Sequence, residues 1–162
     1  MKLPVEELVE RYYYSLYRIA FQITKSREDA EDVAQDAFMI YFKTNKQFED
    51  EEHIRAWLFR VTINCAKNIV SSFWHRNRES FDEFRLELVF EQDEDSVLFD
   101  AVMKLPKKYR IVIHLYYFED YSIRNISEIL RSKEGTVKSQ LSRARKMIEA
   151  TLVHGKGVGH NE

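Results

Sequence analysis

Glycine, proline and cysteine are all scarce in this chain. Four glycines and two prolines among 162 residues leave little to interrupt a helix. Gly155, Gly157 and Gly159 sit at the C-terminal end, so Gly135 stands alone in the body of the sequence, and the prolines are Pro4 and Pro106. With abundant Leu, Ile, Glu, Lys and Arg, these absences argue an all-α protein. Cys65 is the single cysteine. It excludes a disulfide framework and a cysteine-rich metal site, and reads as a buried reduced thiol suited to the cytosol. No apolar run approaches the length of a membrane span, and the opening MKLPVEELVE does not have the form of a signal peptide. No phosphate loop, Gly-rich dinucleotide turn, or Cys/His or Ser/His pair at defined spacing is present. The histidines, His53, His75, His114, His154 and His160, are scattered. The expectation is therefore no catalytic residue, no metal site, no cofactor and no small-molecule substrate.

The formal net charge of −2 hides a strong segregation. Between positions 131 and 146 the bases Arg131, Lys133, Lys138, Arg143, Arg145 and Lys146 face the single acid Glu134. This stretch belongs to a longer one, residues 122–147, that reads as a helix-turn-helix. Ile123, Ile126, Ile129 and Leu130 keep helical spacing before Gly135, and Val137, Leu141, Ala144 and Ile148 keep it after. Ser122 suits an N-cap, and Gly135 is expected to supply the turn. Thr136, Ser139, Gln140 and Arg143 fall away from the apolar side of the second helix, where a recognition helix addresses a groove. A plain helical hairpin with a solvated basic face is the competing reading.

Residues 4–24 read as one or two helices, with Leu8, Tyr12, Leu16, Ile19, Ala20 and Ile23 at helical spacing and Tyr12, Tyr13, Tyr14 and Tyr17 as packing aromatics. Ser26 offers the next N-cap. The helix over 27–43 has Ala30, Val33, Ala37, Ile40 and Tyr41 as its expected buried stripe, and Asp29, Asp32, Gln35 and Asp36 as a polar, acidic one. On charge alone a solvated face is the commoner arrangement; the alternative is a docking face for a basic partner helix. After a polar connector, 45–52, a helix from about His53 carries Arg55, Arg60, Lys67, Arg76 and Arg78 interleaved with Trp57, Phe59 and other apolar residues, with no acid from Ile54 to Arg78. Bases interleaved with aromatics suit single-stranded DNA, though Trp57, Leu58 and Val61 also read as core. Asn64, Lys67 and Asn68 form a polar set about one turn apart.

The segment 79–95 carries eight acids against Arg85. It reads as a linker that stays soluble and extended, threads a basic channel, or holds the basic helix in check. Helices over 96–104 and 109–118, separated by Leu105-Pro106, complete a four-helix unit with the helix-turn-helix. The expected architecture is two small helical domains, 1–78 and 96–153, joined by an acidic linker, 79–95, with a disordered tail over 154–162.

Three of these segments carry a family resemblance. GTVKSQLSRARK, preceded by LPKKYRIVIHLYYFEDYSIRNISEIL, resembles the C-terminal domain of bacterial extracytoplasmic-function sigma factors. DAEDVAQDAF resembles the family's segment that clamps the large polymerase subunit, and AWLFRVTINCAKN resembles its −10 recognition helix. The resemblance implies Asp32, Gln35 and Asp36 as core-polymerase contacts. It implies Arg60, Asn64, Lys67, Asn68 and Arg76 on the melted −10 strand, with Phe48 and its connector shaping a pocket for a flipped base. It implies Thr136, Lys138, Ser139, Ser142, Arg143 and Arg145 on the −35 duplex. Arg131 stands where the family often has Gly or Asn, Lys133 where a capping Ser is frequent, Gln140 where Arg is, and Ser127 where Ala is.

The function so implied is promoter-specific transcription initiation in the cytoplasm. Its partners are bacterial core RNA polymerase, promoter DNA and an anti-sigma factor, membrane-bound in many systems. A stand-alone helix-turn-helix regulator would account for residues 122–147 but leave the acidic stripe and the basic-aromatic helix unused. A purely protein-binding adaptor would show no salt-dependent DNA affinity.

Overall fold

The structure, a computed structural model, describes residues 1–76 and 93–160. Among the described residues there are seven α-helices and no strand. Helices α1 (Val5–Thr24), α2 (Arg27–Lys43) and α3 (Glu51–Arg76) pack on one another as the first unit. Helices α4 (Asp93–Met103), α5 (Lys107–Ile113), α6 (Ile123–Leu130) and α7 (Glu134–His160) form the second, with α5 running on as a π-helical turn, His114–Phe118. The acidic segment over 79–92 lies outside the described residues, whereas 93–95, read as linker, are the first turn of α4.

Each helix boundary has a local cause. Ser26 caps α2 by accepting from the Asp29 amide at 3.3 Å. Asp50 does the same for α3 through the His53 amide at 2.8 Å, while His53 Nδ1 accepts from the Glu49 amide at 3.0 Å. The imidazole thus takes up the amide one residue before the cap, so both sides of the helix start are tied to His53. Ser122 caps α6 through the Asn125 amide at 3.1 Å. Helix α1 stops at Lys25, which takes the left-handed conformation (φ 54°) and returns its N–H to the Phe21 carbonyl.

The turn between α6 and α7 differs from the sequence expectation. Gly135 lies inside the first turn of α7 with no positive φ, and the left-handed residue is Arg131 (φ 53°, ψ 44°). The Ser132 amide bonds to the Ser127 carbonyl at 3.0 Å and the Arg131 amide to Glu128 at 3.4 Å. That pair of bonds is a Schellman ending, which places the left-handed residue four positions before Gly135. Helix α7 also continues through the segment expected as a disordered tail, as far as His160. No proline follows Pro106, and a formed helix propagates at far lower cost than it nucleates.

The cores follow the apolar spacing with one substantive exception. Leu8, Leu16, Ile19, Ala20 and Ile23 of α1 meet Ala30, Val33, Ala37 and Tyr41 of α2 and Ile54, Leu58 and Ile63 of α3. Ile40 was expected among them but is 40% exposed; Ala34 and Phe38 are buried in its place. A wide buried stripe shifts by one residue when small Ala34 lets the helices approach, and Phe38 then outcompetes Ile40 for the core.

The two units are packed together through α1 against α5 and α3 against α6. Arg110 of α5 is buried and donates to the Gln22 carbonyl (2.7 Å) and to its own unit's Leu105 carbonyl (2.6 Å). Burial without a carboxylate brings this guanidinium down to about 10. In the other direction, Arg60 of α3 donates from Nη2 to the Glu128 carbonyl (2.8 Å) and from Nε to Ile129 (3.2 Å). Each unit thus lends an arginine to carbonyls in the last turn of a helix of the other, those of α1 and of α6, where the Glu128 carbonyl also accepts from the Arg131 amide. Between these caps, Arg55 donates to Glu119, and the Phe59 and Tyr121 rings meet edge to face at 5.6 Å.

Candidate nucleic-acid interface

Helix α7 is held by Val137, Leu141 and Ala144, all buried against the second unit. That anchorage turns Thr136, Lys138, Ser139, Ser142 and Arg143 outward, and all five are exposed. They form a continuous polar face with two cations, free of the apolar seam and long enough to lie in a groove. Arg145 is also exposed but is already engaged. Its Nε donates to the Tyr117 hydroxyl, and its guanidinium lies 5.5 Å from the Tyr116 and Tyr117 ring centres. The bond to Tyr117 raises Arg145 further above its ordinary range. Gln140 is half-buried, and its Oε1 is enclosed without a hydrogen-bond partner.

On α3 the polar set divides. Asn64 and Asn68 are exposed. Lys67 is half-buried, and its ammonium is lowered by burial and by Lys107 of α5. Arg60 is lowered by burial and then by Arg131, and both partners of its cap belong to the second unit. Arg76 ends α3, and its side chain lies outside the described residues. A cleft of about 660 Å³ opens beside Arg60, walled by Trp57 and His53 on one side and by Asn125, Glu128 and Arg131 on the other. Phe48 does not line it. Its ring is buried against Tyr41, His53 and Trp57, so it shapes the core under the connector rather than a base pocket.

On α2, Asp32, Gln35 and Asp36 are exposed together on one face. The face continues past the acids into Met39, Ile40 and Phe42, which are 51%, 40% and 62% exposed. Adjacent exposed apolar groups are unusual on a merely solvated helix and typical of a docking surface. Met39 could have been found from the sequence, since it continues the Asp32, Gln35 and Asp36 rows at helical spacing. The contacts between units could not, because the pairs are more than sixty positions apart.

The fold and these faces define a two-unit, all-α helix-turn-helix protein. Comparison with known proteins gives it a family. Residues 8–82 match the model of Sigma-70 region 2, and residues 97–148 match that of Sigma-70, region 4. The ECF RNA polymerase sigma-E factor of Haemophilus influenzae is 29% identical over 88% of this chain and 84% of its own. RNA polymerase sigma factor SigV of Bacillus subtilis is 27% identical over 84% and 83%, and ECF RNA polymerase sigma factor SigM of the same species is 26% identical over 94% and 98%. Among solved structures, CnrH in complex with the cytosolic domain of CnrY has a TM-score of 0.69 at 26% identity, covering 93% of this chain and 88% of that one. The sigma factor RpoE of Bartonella quintana, in complex with the anti-sigma factor NepR, has a TM-score of 0.69 at 24% identity over 91% and 95%, a likeness of fold. The chain belongs to the sigma-70 family, as an RNA polymerase sigma factor of the extracytoplasmic-function group.

Proposed function

We propose that the three exposed faces divide the work of promoter-specific initiation. The α2 face, with Asp32, Gln35 and Asp36 and the apolar patch of Met39, Ile40 and Phe42, docks on a basic helical element of core polymerase. Carboxylates there steer association, and the desolvated apolar groups hold it. The α7 face, Thr136 to Arg143, reads −35 duplex. Asn64, Lys67 and Asn68, with Arg60 and Arg76, hold the unpaired −10 strand, and Arg145 serves as a flanking phosphate contact braced by Tyr117. Residues 1–78 and 96–153 are the two domains, joined by the acidic segment, and the protein works in the cytoplasm without catalysing a reaction itself. Of the structural relatives, the Bartonella quintana RpoE was solved in complex with the anti-sigma factor NepR, and CnrH with the cytosolic domain of CnrY. An anti-sigma factor is accordingly the proposed regulator of this one.

The observation that carries this reading is the simultaneous exposure of the α2 acidic-apolar face and the α7 polar face on a chain matching both sigma regions. Its test separates the two DNA roles. In polymerase holoenzyme on a promoter found by transcription, Asn64→Ala with Asn68→Ala should slow strand opening, followed by permanganate reactivity, and leave closed-complex binding intact. Arg143→Ala should weaken the closed complex itself. Equal effects of both variants on both readouts would overturn the assignment.

A further inference from the structure

We infer that residues 1–3 form a strap that fixes the shape of the connector between α2 and α3, with Lys2 and Tyr41 as positioning residues for −10 base discrimination. This rests on the proposed placement of the unpaired −10 strand on α3, into which the connector leads. The connector, residues 44–50, lies between the end of α2 and the start of α3 without a helical turn of its own. Its exposed side chains include Asn45, Lys46 and Gln47. Two amides and an ammonium suit an unstacked base and the phosphate beside it, since amides pair with base edges and cations with the backbone. An irregular segment presents such groups in one arrangement only when contacts from elsewhere in the chain tie it down.

The first three residues supply those ties. The Met1 carbonyl accepts from the Phe48 amide at 3.1 Å, and the Met1 nitrogen donates to the Phe48 carbonyl at 2.7 Å and to Gln47 Oε1 at 3.3 Å. The strap therefore orients one of the exposed amides directly, leaving its NH2 end for an outside acceptor. The Lys2 ammonium donates to the Phe42 carbonyl at 3.3 Å and to the Thr44 carbonyl. These lie at the end of α2, where carbonyls lack helical partners and the dipole favours a cation. The same ammonium is 5.4 Å from the centre of the Tyr41 ring. The Tyr41 hydroxyl in turn donates to the Leu3 carbonyl at 2.7 Å. Tyr41 is buried, and its ring meets Phe48 at 5.7 Å and Trp57 of α3 at 6.1 Å between centres. One tyrosine thus links the strap, the connector and the strand-facing helix, and every contact lies within the first unit.

The test uses polymerase holoenzyme on a promoter found by transcription, and on versions of it with each −10 base substituted in turn. Discrimination is the ratio of open complex on the original promoter to that on each substituted one, read by permanganate reactivity. Lys2→Met and Tyr41→Phe each remove a tie while keeping the stem or the ring, and circular dichroism checks that both remain folded. Each should reduce discrimination at one or more −10 positions by at least about threefold, the scale of one lost hydrogen bond. Core affinity and closed-complex binding should stay as in wild type. Lys2→Arg, which keeps a donor at the α2 carbonyls, should retain discrimination. The double variant Asn45→Ala, Gln47→Ala should lose it at the same positions. Unchanged discrimination in folded Lys2→Met and Tyr41→Phe, where the double variant loses it, would overturn the strap alone. Unchanged discrimination in the double variant would overturn the reading of the strand by the connector. A loss of opening equal on every sequence would make Lys2 a phosphate contact or a purely structural tie, and would likewise overturn the inference.

Discussion

Arg55 and Glu119 are paired across the two units, with Nη2 2.9 Å from Oε2 and 3.1 Å from the Glu119 carbonyl oxygen. Glu119 is nearly enclosed, Arg55 is mostly so, and His114 Nε2 lies 3.4 Å from the second carboxylate oxygen without hydrogen-bond geometry. Removing one member of such a pair leaves the other desolvated and unpaired, which costs more than the pair itself contributes. Glu119→Ala should therefore lower stability by about 2–4 kcal/mol. Arg55→Met strands the nearly enclosed Glu119 without a partner, whereas the Arg55 left by Glu119→Ala can regain water at the edge, so Arg55→Met should cost more. Urea unfolding midpoints of the two variants test the order; a Glu119→Ala midpoint equal to wild type would show that the pair holds nothing.

Lys25 gives the chain a pH dependence of opposite sense to the usual lysine. Burial, with Arg110 nearby, lowers its ammonium from 10.5 to about 8. Between those values the unfolded chain binds more protons than the folded one, so stability should rise as pH increases through that window. The rise should end near pH 10. Tyr12 is raised from 10.0 to about 12 by burial and its bond to Glu51, and its contribution is lost as pH climbs between those values. Thermal melts from pH 7.5 to 9.5 should show increasing stability in wild type and a smaller slope in Lys25→Met. A parallel slope in the variant would assign the effect elsewhere.

The turn of the helix-turn-helix gives a paired prediction. Arg131→Gly should stabilise the protein by about 0.5–1 kcal/mol, because it relieves a left-handed non-glycine residue. Gly135→Ala should also stabilise, by about 0.5–1 kcal/mol, since the position is helical and an added Cβ meets nothing within 4 Å. Differential scanning calorimetry on each single variant decides both. A loss of stability on Gly135→Ala would return the turn to the glycine.

These two residues also mark how far the sequence could be read. The existence and order of the helices were legible, because apolar spacing in Val137, Leu141 and Ala144 or in Leu16, Ile19 and Ile23 admits no other period. The residue that turns the chain was not. Glycine scarcity drew attention to Gly135, whereas Schellman hydrogen bonding at the end of α6 put the positive φ on Arg131. Ile40 was misread because a neighbouring alanine and phenylalanine satisfy the same period. The acidic α2 face and the polar α7 face were visible as sequence patterns. The covering of Arg60 was not, since its partners are backbone carbonyls 68 and 69 positions away, and carbonyls leave no trace in residue type.

Along α7, Arg143 and Lys138 should behave differently. Arg143→Ala should cost about 1–3 kcal/mol of discrimination between −35 sequences if its fork meets a base edge. Lys138→Ala should weaken all duplexes alike and reduce the salt slope by about one. Competition binding with cognate and scrambled duplexes at several salt concentrations distinguishes the two. A uniform loss for Arg143→Ala would make it a phosphate contact.

The most direct measurement of the central claim is run-off transcription from a genomic promoter library with purified bacterial core polymerase. The chain should be added as wild type and as the double variant Asp32→Lys, Asp36→Lys. Wild type should produce new, defined starts that share two upstream elements, and the double variant should lose them through weakened core binding while still shifting −35 duplex DNA. Absence of new starts with wild type, together with polymerase-independent binding to palindromic DNA, would contradict the account and reduce the α2 acids to a solvated helix face.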